Sequence, residues 1–174
     1  MKYGIALGSN LGERLDNLRR AVRSLLQRVP GSRVIAASAV YETDPVDCPP
    51  GSPGFLNAAI ELEADIQPLD LLQRTQAIEA ALGRPNEHEH HAPRTVDLDL
   101  LYADAVVLNH PDLILPHPRM AQRRFVLQPL ADIRPDLLLP GEDLSVREIL
   151  AYLPTSDEPS PRVYAAQWFD LDSP

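Results

Sequence analysis

Cysteine is nearly absent from this chain: Cys48 is the single one among 174 residues. No internal disulfide can form, and a free thiol suits a reducing compartment. Cys48 lies in a proline-rich stretch and reads as incidental rather than nucleophilic. Long apolar runs are also missing. No window approaches the roughly 18 consecutive apolar residues of a membrane span. The N-terminus, MKYGIALGSN, has no apolar h-region followed by a cleavage site. A cytoplasmic protein is therefore expected. Basic residues are in the minority, 16 against 25 acidic, for a formal charge of −9. That balance argues against non-specific binding to nucleic acid or an anionic membrane, yet leaves room for a small basic pocket. Apolar content of 44% and charged content of 24% are those of a globular chain with a core. No internal repeat and no second domain are visible.

What is present is most informative at residues 93–102, PRTVDLDLLY. In a strand, successive side chains point to opposite faces, so Asp97 and Asp99 share one face while Val96, Leu98 and Leu100 share the other. Two carboxylates side by side on a strand repel unless a cation sits between them. Hard divalent ions such as Mg²⁺ take oxygen ligands and keep waters and substrate phosphates. A solvated edge strand would also show such a pair, but the apolar opposite face places this strand in a sheet. Arg94 could meet the phosphate side of the same site.

Around this stretch the elements follow in order. Residues 3–8 read as a strand, followed by a turn capped by Ser9 or Asn10. Leu15, Leu18, Val22, Leu25, Leu26 and Val29 recur at helical spacing, and Pro30-Gly31 ends that helix. Arg14, Arg19, Arg20 and Arg23 lie mostly off this stripe and read as a solvated face. Residues 33–42 read as a second strand. Residues 44–54 hold four prolines and two glycines, which makes a long loop of the functional kind. Residues 55–63 form a third strand: Phe55, Asn57, Ala59, Glu61 and Glu63 on one face, Leu56, Ala58, Ile60 and Leu62 on the other. Pro68 opens a second helix with Leu71, Thr75, Ile78 and Leu82 inward and Gly83 as its C-terminal cap. The D-x-D strand spans 95–102, and a short strand at 105–108 is expected to follow as a hairpin. A last helix spans 145–153. The fold class is α+β: a ferredoxin-like βαββαβ core with a C-terminal helical extension. Residues 1–153 form one domain, and 154–174 read as a loosely held tail in which Val163 to Phe169 could add a strand.

Three further groupings could carry chemistry. His117, Arg119, Arg123 and Arg124 form a dense positive cluster suited to an oligophosphate, or else a solvated helical face. Gln76 and Glu79 are neighbours on one helical face, as ligand contacts or as ordinary surface polarity. Phe55 and Phe125 are two of three phenylalanines; a ring and the Asn57 amide on one face could stack on and bond to a flat heterocycle, although core packing is the commoner fate of phenylalanine. The EHEHH run at 87–91 reads as a solvated turn rather than a metal site. GSNLG at 8–12 lacks the phosphate-loop spacing.

Together these segments resemble the 6-hydroxymethyl-7,8-dihydropterin pyrophosphokinases of folate biosynthesis. The matching pieces are ALGSNLG at 6–12, YETDPV at 41–46, FLNAA at 55–59, TQAIE at 75–79, GRPN at 83–86, PRTVDLDLLY at 93–102 and LPHPRMAQRRFVLQPL at 115–130. The resemblance implies transfer of a pyrophosphoryl group from ATP to the pterin hydroxymethyl oxygen, leaving AMP. It implies two Mg²⁺ ions on Asp97 and Asp99, bridging the ATP phosphates. Phe55 and Phe125 would sandwich the pterin, and Asn57 would read its amide edge with Thr43 and the backbone around Pro45 and Val46. Gln76, Glu79, Arg84, Arg94, His117 and Arg123 would face the nucleotide, with Arg84 and Arg94 joining the aspartates as the catalytic set. The chain departs from the family pattern at Asn86 and His91, where many relatives have Arg and Trp, at Asp44 and Asp47, where relatives often have Pro and Gly, and at Pro118, where some have Tyr. The expected partners are ATP and the pterin alone, and the expected state is a monomer. Another two-metal enzyme would act without pterin, and a non-enzymatic ferredoxin-like module would have little use for Asp97, Asp99, Arg94 and His117 together. An RNA-binding version conflicts with the acidic face expected from Glu61 and Glu63.

Overall fold

The alternation of Tyr3, Ile5 and Leu7 with Gly4, Ala6 and Gly8 decides which way the first strand faces, and it lies in the interior of the sheet, paired on both sides. A computed structural model describes residues 1–44, 51, 53–83, 95–154 and 160–171. The elements in order are β1 (Lys2–Ser9), α1 (Arg14–Arg28), β2 (Arg33–Ala37), β3 (Val40–Thr43), β4 (Phe55–Glu63), α2 (Pro68–Ala81), β5 (Asp97–Ala103), β6 (Leu108–His110), β7 (Leu113–Leu115), a 3₁₀ turn (Met120–Gln122), α3 (Arg124–Ile133), α4 (Val146–Tyr152) and β8 (Arg162–Ala165). The main sheet runs β5-β1-β4-β3-β8, with β2 also paired to β4. Since β1 and the β2–β3 segment are both antiparallel to β4, they are parallel to one another across it. This is the split βαβ arrangement expected from the spacing.

The sheet is covered on both faces. On one, Ile5, Leu7, Leu56, Ile60, Leu98 and Leu100 pack against Leu18, Val22 and Leu25 of α1 and Leu71 and Ile78 of α2. On the other, Ala59, Leu101 and Tyr102 pack against Val126, Leu127 and Leu130 of α3 and Val146 and Ile149 of α4. Leu101 and Tyr102 face the same way because the β1–β5 register shifts between Gly4 and Ile5, a bulge that leaves one residue of β5 unopposed. Gly4 has no side chain because the Tyr102 ring fills its place: a Cβ there would lie 2.1 Å from a Tyr102 ring carbon. The apolar faces of both long helices, Pro68 at the start of α2 and Gly83 just past its end agree with the periodicity.

Several elements differ from expectation for identifiable reasons. The second strand is two, because the register against β4 slips within Val34/Ala36 and again across the break at Ser38. Ser38 is buried, and its N–H and Oγ bond the Ala59 carbonyl and N–H in place of a regular ladder. Neither Ser9 nor Asn10 stands at the N-cap position of α1. That helix starts later, at Arg14, with Glu13 at the cap position and no side-chain cap bond; the Ser9 hydroxyl is used instead on the Thr95 carbonyl at 2.6 Å. The strand expected at 105–108 begins only at Leu108 and pairs with β7, not β5. A turn at Asp104, with φ of 43°, ends β5 first. The chain from 160 to 171 is not loosely held: β8 pairs with β3, and Trp168 is buried with its indole N–H on the Ser38 carbonyl at 2.8 Å. No helix among the described residues is long and apolar enough to cross a membrane.

Candidate active site

Strand register brings the candidate side chains into one row. Gly8 of β1 pairs with Asp97 of β5 on one side and with Asn57 of β4 on the other. Ala6 pairs in the same way with Asp99 and Ala59. A carboxylate and an amide thus stand two strand spacings apart, about 10 Å, over a floor that carries no side chain. A Cβ on Gly8 would meet the Asn57 Oδ1 at 3.7 Å and the Asp97 Cβ at 3.9 Å, so glycine leaves open the space between the two groups. Ala6, Leu7, Gly8, Asn57, Ala58, Asp97, Asp99, Phe125 and Val126 line the resulting pocket. α3 lies on this face of the sheet, which brings Phe125 over the row.

The pocket has an amide side and a charge side. On the first, Asn57 is buried and its Nδ2 donates to the Thr43 hydroxyl at 3.1 Å. That bond fixes which way the amide points and leaves Oδ1 and one N–H to offer a complementary edge. Phe55 pairs with Thr43 at the start of β4 and stands at the margin, outside the lining residues. On the charge side, Asp97 and Asp99 are half-buried. The backbone N–H between them, that of Leu98, donates to a Glu79 carboxylate oxygen at 2.8 Å. Glu79 is thus buried against the D-x-D strand, whereas Gln76 on the same helix is exposed. Ser9 holds the start of that strand through Thr95, and the Asn17 amide bonds the Ser9 hydroxyl and the Leu11 carbonyl.

The positive cluster divides. The Arg123 guanidinium lies 5.6 Å from the centre of the Phe125 ring, a cation–π contact that joins the two sides of the pocket. Arg124 donates to the Leu153 carbonyl at 2.7 Å and ties α3 to the end of α4. His117 donates its backbone N–H to Leu101, and its Nδ1 accepts from the Arg119 N–H at 3.2 Å. Burial, then the Arg123 and Arg119 charges, hold the imidazole below its ordinary value. The ring is neutral at pH 7 with its proton on Nε2.

The expected acidic face is absent at Glu61. This residue is buried, taking the Tyr102 hydroxyl at 2.9 Å and the Arg134 guanidinium at 2.6 Å. Burial and the neighbouring Glu61 charge push the Tyr102 hydroxyl far above its ordinary value, so it stays a donor. Arg134 sits at the end of α3, so this pair pins the helix that carries Phe125. No local pattern marks it, and the same holds for Ser9. Pro45, Val46, Arg84 and Arg94 lie outside the described residues, as do Cys48, Asn86 and the 87–91 histidines.

Among the described residues no group of three or more His, Cys, Asp or Glu side chains could hold a metal. Two half-buried carboxylates on one strand face suit a hard cation that draws its other ligands from water and phosphate. Fold and site together define an α+β protein with a half-buried carboxylate pair and an aromatic-lined, amide-bearing pocket on one sheet face.

Residues 4–135 match the family model "7,8-dihydro-6-hydroxymethylpterin-pyrophosphokinase (HPPK)". A Pseudomonas aeruginosa 2-amino-4-hydroxy-6-hydroxymethyldihydropteridine pyrophosphokinase is 41% identical over 150 residues, covering 86% of this chain and 90% of the relative. The Bacillus subtilis protein of that name is 46% identical over 129 residues, covering 74% and 75%. Among solved structures, a Plasmodium falciparum HPPK-DHPS superposes with a TM-score of 0.67 at 14% identity, over 86% of this chain and 45% of that one, a likeness of fold. The chain belongs to the hydroxymethyldihydropterin pyrophosphokinase family, whose reaction passes a pyrophosphoryl group from ATP to hydroxymethyldihydropterin in folate biosynthesis.

Proposed function

We propose that this chain catalyses the Mg²⁺-dependent transfer of pyrophosphate from ATP to 6-hydroxymethyl-7,8-dihydropterin, giving AMP and the pterin diphosphate. The observation that carries the reading is the row Asp97–Gly8–Asn57 across three adjacent strands, with Phe125 over it. It sets an amide reader and an aromatic ring beside a carboxylate pair across a bare floor.

In this reading Asn57 and Thr43 take the amide edge of the pterin, with backbone near Pro45 and Val46, and Phe125 and Phe55 hold its ring. The pterin hydroxymethyl oxygen then attacks the β-phosphorus of ATP, its proton leaves to solvent, and the bond from that phosphorus to the α-phosphate bridging oxygen breaks. Asp97 and Asp99 would hold two Mg²⁺ ions, which would supply neutralisation of the phosphate charge. Arg123 and the Nε2–H of neutral His117 face phosphate oxygens, and Arg84 and Arg94 complete the charge side. Gln76 and Glu79 belong to the nucleotide half, Glu79 through its hold on the strand between the aspartates. Positioning and charge account for phosphoryl transfer of this kind, and no strong side-chain base is needed. A cytoplasmic monomer completes the reading; the lone cysteine suits a reducing compartment.

The test is AMP formation from ATP and Mg²⁺ with and without the pterin. AMP is expected only when the pterin is present, and Asp97→Ala and Asp99→Ala should each lower turnover by several orders of magnitude while far-UV circular dichroism stays that of the parent. ATP consumption without pterin would replace this reading with another two-metal activity. Near-normal Mg²⁺-dependent turnover in both variants would remove the metal assignment.

A further inference from the structure

β8 lies beyond residues 4–135, the part matched by the family model, and it closes the free edge of β3. Val40 pairs with Ala165, Tyr41 with Val163 and Glu42 with Arg162. Without it the four residues of β3 would end the sheet with unpaired backbone groups. The strand is not held by burial, since Val163 and Tyr164 are 62% and 48% exposed. Downstream it is anchored by Trp168, whose indole N–H bonds the Ser38 carbonyl and whose own carbonyl takes the Arg19 Nε–H at 2.9 Å.

Its side chains converge on one residue. Thr43, which orients the Asn57 amide, lies between Glu42 and Asp44, and both carboxylates are held. The Arg162 guanidinium takes the two Asp44 oxygens at 2.8 and 3.3 Å. The Arg14 guanidinium takes Glu42 at 2.7 Å and the Gly54 carbonyl at 2.6 Å. Arg14 thereby joins the strand before the 44–54 connection to the residue that ends it. Tyr164 of β8 covers Arg14, its ring centre 5.5 Å from the guanidinium carbon.

We propose that Arg162 and Tyr164 of the C-terminal strand are positioning residues for the pterin side of the site, acting through Asp44, Glu42 and Arg14 to fix Thr43 against Asn57. Neither touches the acceptor. Their effect is to hold the edge strand and both ends of its connection in the arrangement that sets the amide, so that less ordering remains to be done on binding. The inference rests on the pterin-binding reading above, and it predicts a split between the two substrates. The nucleotide half is built on β5, α2 and the 117–123 segment, on the far side of the sheet from β8.

The test measures, in the full chain, equilibrium affinity for 6-hydroxymethyl-pterin and, separately, for a non-hydrolysable Mg²⁺–ATP analogue. Each exposed pair is modest alone, so Arg162→Ala should weaken pterin binding about threefold and the Arg162→Ala/Tyr164→Ala double variant about tenfold. Nucleotide affinity should stay within about twofold. The charge exchange Asp44→Arg/Arg162→Asp should restore most of the pterin affinity lost in Arg162→Ala, an outcome that mere loss of fold would not give. Parental pterin affinity in the double variant would overturn the inference, as would an equal loss for both ligands. A parent chain that fails to bind pterin at all would instead overturn the functional reading on which it rests.

Discussion

Arg134→Met isolates the contribution of the buried pair under α3. Glu61 is 4% exposed, and Arg134 is its only cationic partner among the described residues, at 2.6 Å. Removing the guanidinium leaves a carboxylate in the sheet–helix interface with the Tyr102 hydroxyl as its remaining hydrogen-bond partner among the described residues. Breaking a buried pair from one side costs about 3–5 kcal/mol. The Arg134 side chain is 35% exposed, so water partly screens the pair and the expected loss is about 2–4 kcal/mol. For a domain of this size that lowers the melting temperature by about 4–16 °C. Urea unfolding followed by circular dichroism and by the single, buried Trp168 gives the free energy directly. Adding Glu61→Gln to Arg134→Met removes the stranded charge while keeping an acceptor for Tyr102, and should recover about half of the loss, or about 1–2 kcal/mol. If Arg134→Met lies within about 0.5 kcal/mol of the parent, within the range of ordinary surface changes, the guanidinium does not stabilise the buried charge and the reasoning fails. If the double variant is no better than the single one, the loss came from packing rather than from charge.

Two other outcomes follow from the site. Phe125→Ala removes the ring that lines the pocket opposite the sheet; burial worth about 1.5–3 kcal/mol predicts a ten- to hundredfold weaker pterin affinity, and an unchanged affinity measured by calorimetry would refute the stacking role. His117→Gln should alter the pH dependence of stability. The folded state holds this imidazole below its ordinary value, so as pH falls the unfolded chain takes the proton first and the parent loses stability. The loss begins near about pH 6.5 and stops growing below the folded pKa. Between about pH 7.5 and 5 the parent should therefore lose more stability than His117→Gln; a constant difference across that range would show that the histidine is not held neutral.

The parts of this molecule that were legible in its sequence are those whose signal is local and periodic. The alternation in β1, β4 and β5 reports faithfully which side chains look toward α1 and α2, because a sheet covered on that face demands it. The helical stripes of α1 and α2 are equally plain. Periodicity alone therefore puts Asp97 with Asp99, and Asn57 with Phe55, on shared faces. It could not say that these two faces are the same side of one sheet, in one row through Gly8, since that depends on register between strands. Register is also where it failed: the slips at Val34/Ala36 and Ser38 break one expected strand into two, and no residue in 33–42 advertises them.

The remaining misses share a physical cause, which is that charge interactions in this chain act over long sequence distance. Glu61 looks like the polar face of an alternating strand, and it is buried only because Arg134, 73 residues away, arrives on the end of α3. Arg162 and Asp44 are 118 residues apart, and nothing near either one calls for the other. The strand that Val163 to Phe169 could add is present as β8 (Arg162–Ala165), although its own pattern marks it only weakly. Its apolar residues, Val163 and Tyr164, remain largely exposed, so it lacks the half-buried alternation that marks a strand. What orders it is the edge of β3, the carboxylates on both sides of Thr43, and Trp168 seated at the Ser38 break. A segment whose stability comes from the partner's unpaired backbone, rather than from its own apolar face, leaves its evidence on the partner. In this chain that evidence is Asp44, the carboxylate that Arg162 grips, set immediately after the threonine that orients the Asn57 amide.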